Sequence, residues 1–166
     1  NLYATYGMTE TLTHIALQKI NGADDTFLVL AGFEVETDAR GCLTVKANHL
    51  GSETIITNDL VELVSKNQFR WLGRIDGVIN SGGVKIIPEK VEAVLTTIFN
   101  KLNLPNRFFI AGLPNIQLGD AVTLFVEGTL TKDHIESLTH TLSQTLSRYE
   151  NPKTVYCLEK FVYTNS

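Results

Sequence analysis

Between Phe27 and Leu72 apolar and polar side chains alternate in short runs: Phe27-Leu28-Val29-Leu30, Cys42-Leu43-Thr44-Val45, Thr54-Ile55-Ile56-Thr57 and Leu60-Val61-Glu62-Leu63. Gly, Asn and Asp part them. A period of two gives a strand one apolar face, and runs this short cannot wind a helix of useful length. This stretch therefore predicts a small antiparallel β unit, barrel-like in form. From Val78 the texture changes. Pro88, followed by Glu89 and Glu92, reads as a helix start, with proline at the first position and acids at the positive dipole end. Val91, Val94, Leu95 and Ile98 then fall at i, i+3, i+4 and i+7, which predicts one apolar stripe to about Asn100. Thr131 reads as the N-cap of a second helix carrying Ile135, Leu138, Leu142 and Leu146. Residues 107–111, 121–127 and 154–158 read as strands that these helices would cover. The expected fold is α+β, with a small antiparallel β subdomain followed by a C-terminal α+β domain. The border lies near residue 75, so that 1–75 and 76–166 form separate domains.

The 166 residues amount to one domain or two small ones at about 150 per domain, long enough to bury about two thirds of the unfolded surface. Lys plus Arg number 14 and Asp plus Glu 18, a net charge of −4, and charged residues make up 19%. That balance argues against a nucleic-acid footprint, which needs a clustered basic surface, and against a disordered tail. Lys101, Arg107, Lys132 and Arg148 are scattered and form no patch. No run approaches the ~18 apolar residues of a membrane helix, the longest candidate being Phe27 to Gly32. Asn1 opens the chain without a basic and then apolar leader, so no secretory signal is read there. Cys42 and Cys157 lie far apart with no CxxC or Cys/His spacing, so no zinc site is expected and a reduced cytoplasm is the default.

Three segments carry residues with chemistry. In Tyr6-Gly7-Met8-Thr9-Glu10-Thr11 an aromatic ring offers a face for a purine, and a glycine lets backbone approach a flat ligand. A hydroxyl there can bond a phosphate, and a carboxylate can hold Mg²⁺, which takes one or two carboxylates plus phosphate oxygens. The same string also reads as a Gly-broken turn leading into a helix. Thr57-Asn58-Asp59-Leu60 is an ordinary turn signal, but an ionised Asp59 can accept from both hydroxyls of a ribose. Gly73-Arg74-Ile75-Asp76-Gly77 sets a cation and an acid at the domain border. Ser81-Gly82-Gly83 follows, and paired glycines leave bare backbone along which something slender could run, or make a plain hairpin turn. The segment is not a GxxxxGK[ST] phosphate loop, since Lys85 stands two residues beyond Gly83 and lacks the partner hydroxyl.

In this order and spacing the three segments resemble the C-terminal part of the AMP-forming adenylating superfamily: acyl-CoA synthetases, peptide-synthetase adenylation domains and luciferases. The likeness covers essentially the whole chain. The wording Tyr6-Gly-Met-Thr-Glu-Thr with His14-Ile-Ala-Leu, and Gly73 to Lys85 with Pro88-Glu-Lys-Val-Glu, is most similar to the o-succinylbenzoate–CoA ligases of menaquinone biosynthesis. The resemblance implies a ligase that joins a small carboxylic acid to coenzyme A through an acyl-adenylate, at the expense of ATP with Mg²⁺. It implies Tyr6 and Gly7 at adenine, Thr9 at the α-phosphate, Glu10 at Mg²⁺, Asp59 at the ribose diol and Arg74 at ribose and phosphate. Asp76 matches the hinge of a mobile lid, and Gly82 and Gly83 would border the pantetheine tunnel. Thr11 would border the acyl group. Other acyl- or aryl-CoA ligases, an adenylation domain serving a carrier protein, and a module without chemistry are the alternatives.

The family usually has Gly at Asn58; many relatives have Lys at Asn80 and Arg at Lys85, although at those two positions the succinylbenzoate branch often reads Asn and Lys as this chain does. Relatives place a Gly-Lys after a Thr-x-Ser, and the sequence stops at Thr164-Asn165-Ser166, before that lysine. Lys153 and Lys160 stand at the wrong positions to replace it. The upstream phosphate loop is also outside the sequence, so these residues alone are expected to be inactive. His14, His49, His134 and His140 read as hydrogen-bonded or solvated, and Trp71 as a packing residue.

Overall fold

The computed structural model describes residues 2–20, 24–47, 51 and 53–162, so His49 and Thr164 to Ser166 lie outside the described residues. The chain forms two compact units, residues 1–76 and 77–166. Together they make an α+β protein.

The first unit is one antiparallel sheet built from β1 (Tyr3–Gly7), β2 (His14–Lys19), β3 (Phe27–Val29), β4 (Phe33–Thr37), β5 (Cys42–Ala47), β6 (Ile55–Ser65) and β7 (Gln68–Arg74). The strand order is β1-β2-β3-β7-β6-β5-β4. Ile15, Ala16, Val29, Val35, Leu43, Val45, Val61 and Phe69 fill its core. Phe69 stacks on Phe27 with ring centres 5.5 Å apart, and the Tyr6 ring stands edge-on to both, at 5.2 and 5.8 Å. The sheet curls strongly. Strands β1 and β6 lie four strand spacings apart, about 19 Å if flat, yet the Tyr6 hydroxyl reaches Asp59 at 2.6 Å.

Two local expectations change here. The runs at 54–57 and 60–63 are not parted by a turn at Asn58-Asp59; all but Thr54 belong to β6, which pairs with β5 and β7. A bulge between Leu60 and Val61 takes up the irregularity that the Asn-Asp pair announces. After Gly7 the chain makes only one 3₁₀ turn, Thr9–Thr11, before re-entering the sheet as β2.

In the second unit, β8 (Ile79–Ser81) and β9 (Val84–Ile86) form a hairpin ahead of α1 (Pro88–Lys101). The strands β10 (Phe108–Asn115) and β11 (Gly119–Glu127), helix α2 (Lys132–Thr145) and β12 (Thr154–Leu158) follow. Strand β12 pairs parallel to β11, as a crossover through a helix allows. Val91, Leu95, Ile98 and Phe99 of α1 and Leu138 and Leu142 of α2 are buried with Ile110, Val122, Leu124 and Val126 of the sheet. The Thr131 hydroxyl caps α2 by accepting the His134 amide at 3.2 Å, and Leu146 falls just past the helix end. Glu92 ties α1 to β10 by accepting the Ile110 amide at 2.8 Å, and burial pushes its carboxyl above the usual range. Among the described residues no helix is long and apolar enough to cross a membrane.

Candidate functional site

In the first unit Tyr6, Asp59 and Arg74 come together from three strands. Asp59 lies on β6 directly opposite Arg74 of β7. Its side chain is 17% exposed, and each oxygen has a neutral donor: the Tyr6 hydroxyl gives its proton to Oδ2 at 2.6 Å and the Trp71 indole N–H donates to Oδ1 at 3.3 Å. The Arg74 guanidinium stands 4.0 Å from Oδ1 and donates to both oxygens of Asp76, at 3.0 and 2.7 Å. That pairing raises the pKa of Arg74 above its already basic value. Burial, and after it the hydrogen bond to Asp59 and the carboxylate's charge, push the Tyr6 phenol well above its ordinary value. It remains protonated near neutrality and acts as a donor.

The strand carrying Asp59 is braced from behind. Arg40, in the turn between β4 and β5, donates to the Thr57 carbonyl at 3.0 Å and to Asn58 Oδ1 at 3.2 Å. Its Nε pairs with Asp38 at 2.8 Å. Asp38 also accepts the Cys42 and Arg40 amides, which together with Arg40 hold its carboxyl below the usual range. The Asp59 amide donates to Thr57 Oγ1 at 3.0 Å. Asn58, at a position where the resembled family usually has glycine, is thus held by a guanidinium fork. Sequence reading missed Arg40 and Trp71 as part of this cluster. The signals were slight: an Asp-x-Arg turn facing the Asn-Asp strand, and a tryptophan two residues before Gly73.

Gly7 and Thr9 line an open cleft of about 550 Å³ with Thr5, Met8, Leu12, Thr13 and His14. Glu10 is exposed on the same 3₁₀ turn. Thr11, expected to border an acyl group, is fully buried, because its hydroxyl lies 2.9 Å from the Met8 carbonyl, 2.7 Å from the Thr13 carbonyl and 3.2 Å from the Met8 amide. It shapes the loop. Thr11→Val, nearly isosteric, leaves these buried groups without a partner and is expected to cost about 1–3 kcal/mol. For a unit of this size that is roughly 4–8 °C of melting temperature per kcal/mol, readable by circular dichroism.

In the second unit Gly82 and Gly83 form the β8–β9 turn with φ of +60° and +81°, a backbone that suits glycine. The Gly82 amide donates to the Leu118 carbonyl at 2.7 Å. Gly82 borders a cleft of about 580 Å³ with Asn115, Gln117, Leu118, Arg148, Tyr149 and Lys153. Among the described residues no group of three or more His, Cys, Asp or Glu side chains is placed to hold a metal ion.

No protein-family model and no curated protein sequence matches the chain. Solved structures do. An acyl-CoA synthetase (AMP-forming)/AMP-acid ligase II-like protein from Dyadobacter fermentans is 39% identical, with a TM-score of 0.56 over 98% of this chain and 47% of that one. The chain has a fold of the AMP-forming acyl-CoA synthetases. Unliganded O-succinylbenzoate coenzyme A synthetase (MenE) of Bacillus subtilis matches with a TM-score of 0.69 and 19% identity, over 95% of this chain and 39% of that one. ATP-bound MatB of Rhodopseudomonas palustris matches at 0.76 and 19%, over 98% and 38%. The chain spans less than half the length of each of these relatives.

Proposed function

We propose that the chain is the C-terminal part of an AMP-forming acid–CoA ligase, with o-succinylbenzoate as the acid. The convergence of Tyr6, Asp59 and Arg74 carries this reading: a ring, a carboxylate and a guanidinium within one small volume suit adenine, ribose and phosphate. The likeness to AMP-forming synthetases supports it, and the O-succinylbenzoate coenzyme A synthetase among the neighbours accords with the acid suggested by the sequence.

In this reading Tyr6 and Gly7 flank adenine, Asp59 accepts the ribose diol, and Arg74 and Thr9 meet phosphate oxygens. Glu10 offers one exposed carboxylate, which suits Mg²⁺ only together with the phosphates of ATP. Bound there, the ion would neutralise phosphate charge. The acid's carboxylate attacks the α-phosphorus and expels pyrophosphate; the CoA thiolate then attacks the acyl carbonyl and expels AMP. Positioning and charge neutralisation are the protein's share. Gly82 and Gly83 are the bare backbone along which pantetheine would pass. In the complete polypeptide, o-succinylbenzoate is expected to drive ATP–pyrophosphate exchange and, with CoA, to yield its thioester. Exchange with other acids but not this one would overturn the substrate; exchange with none would overturn the ligase.

Asp76 is the last residue of the first unit, within the 3₁₀ turn Ile75–Gly77. As the hinge it would let one bound acyl-adenylate meet different groups in the two steps. Asp76→Pro, which locks φ near −65°, is expected to spare adenylation and slow thioester formation. Asp76→Asn, which keeps an acceptor for Arg74 and leaves φ free, should spare both. Equal loss of the two half-reactions in the proline variant would refute the hinge.

A further inference from the structure

We propose that Trp71 is a positioning residue for the ribose, holding the Asp59 carboxylate in the plane that accepts two neighbouring hydroxyls and thereby favouring ribonucleotides over deoxyribonucleotides. The inference rests on the nucleotide reading of this site. A carboxylate has about four lone-pair positions, two on each oxygen. Tyr6 occupies one on Oδ2 and Trp71 one on Oδ1. Each oxygen therefore keeps one position, and a vicinal diol needs one on each.

Both donors are neutral, so the carboxylate keeps its negative charge for the ligand. The two grips come from different strands, β1 and β7, one on each carboxylate oxygen, and together oppose its rotation. The Arg74 guanidinium is drawn the other way: it makes short bonds to Asp76 and stays 4.0 Å from Asp59. Without the indole N–H, Oδ1 would be free to turn toward that guanidinium, and the diol would lose its matched pair of acceptors. The Trp71 ring also packs against the core of the sheet, which holds the N–H in place. Trp71, read from the sequence as packing alone, thus packs and donates.

The test is isothermal titration of the complete polypeptide with AMP and 2′-deoxy-AMP. Trp71→Phe keeps a ring and removes the N–H. Benzothienylalanine at position 71 replaces the N–H with sulfur at nearly constant shape and decides the matter if the phenylalanine variant unfolds. Wild type is expected to prefer AMP. Either replacement is expected to shrink that preference about tenfold, the scale of one hydrogen bond to a charged group. Equal weakening of both nucleotides, or an unchanged preference, would overturn the role of Trp71 and leave the nucleotide site standing. If wild type binds neither nucleotide, the reading of the site fails, and the inference with it.

Discussion

Replacing Asp59 by alanine is expected to raise the KM for ATP in the complete polypeptide by roughly 10²-fold or more, because two hydrogen bonds to a charged acceptor disappear together. Each is worth about 1.5–3 kcal/mol, and 1.4 kcal/mol is tenfold. The substitution also strips the Tyr6 hydroxyl and the Trp71 N–H of their acceptor. Both side chains are only half-buried, so water can reach the orphaned donors where they stand, and the loss of stability should be about 1 kcal/mol, the low end for an orphaned donor. Asp59→Asn separates the two effects. It keeps an oxygen for one neutral donor and removes the charge, so its KM should fall between wild type and Asp59→Ala while its melting temperature stays near wild type. Initial rates of ATP–pyrophosphate exchange against ATP concentration give the first quantity, and thermal unfolding the second. An unchanged KM in Asp59→Ala would remove Asp59 from the nucleotide site whatever the melting curves show.

The parts of the molecule legible in the sequence are those whose signal is local. Helix α1 announces itself by Pro88 and a stripe at helical spacing, and α2 by Thr131, whose hydroxyl caps the helix. Strands β1 and β2 escaped because β1 alternates only between exposed and half-buried positions, with no fully buried residue to mark a face, and β2 buries the neighbours Ile15 and Ala16 side by side. Strands β8 and β9 have three residues each, too few to carry a pattern. Asn58-Asp59 looked like a turn because turn chemistry is present: the Thr57 hydroxyl takes the Asp59 amide, and Arg40 grips the strand from 17 and 18 residues away. A bulged strand uses the same residues as a turn and differs only in what lies across from it. Tyr6, Asp59 and Arg74 could be named from their motifs. That Trp71, three residues before Arg74 on the same strand, joins them depends on the bulge at Leu60, which sets Trp71 opposite Val61. No spacing in the linear chain states that pairing.

Gly7 is where structure and ligand make competing claims on one residue, and Gly7→Ala separates them. A Cβ at Gly7 would lie 2.6 Å from the Thr13 carbonyl oxygen and 2.7 Å from His14 Cα, both backbone atoms. Neither can give way cheaply. His14 is the partner of Gly7 in the β1–β2 ladder, and the Thr13 carbonyl is held by the buried Thr11 hydroxyl at 2.7 Å. The strands must therefore separate at the bulge between Tyr6 and Gly7, which pulls Tyr6 from its seat on Phe69. The expected cost is about 3 kcal/mol, the upper range for overpacking, with a melting temperature lowered by more than 10 °C in the unliganded protein. Gly32→Ala is the control. It has a positive φ of +92° but nothing within 4 Å of the added carbon, so it carries only the backbone strain, about 1–2 kcal/mol. Were Gly7→Ala to melt with wild type and raise only the KM for ATP, the glycine would be there for the ligand's approach. A melting temperature that falls before any nucleotide is added, and further than that of Gly32→Ala, would mean that the glycine is there for the strands.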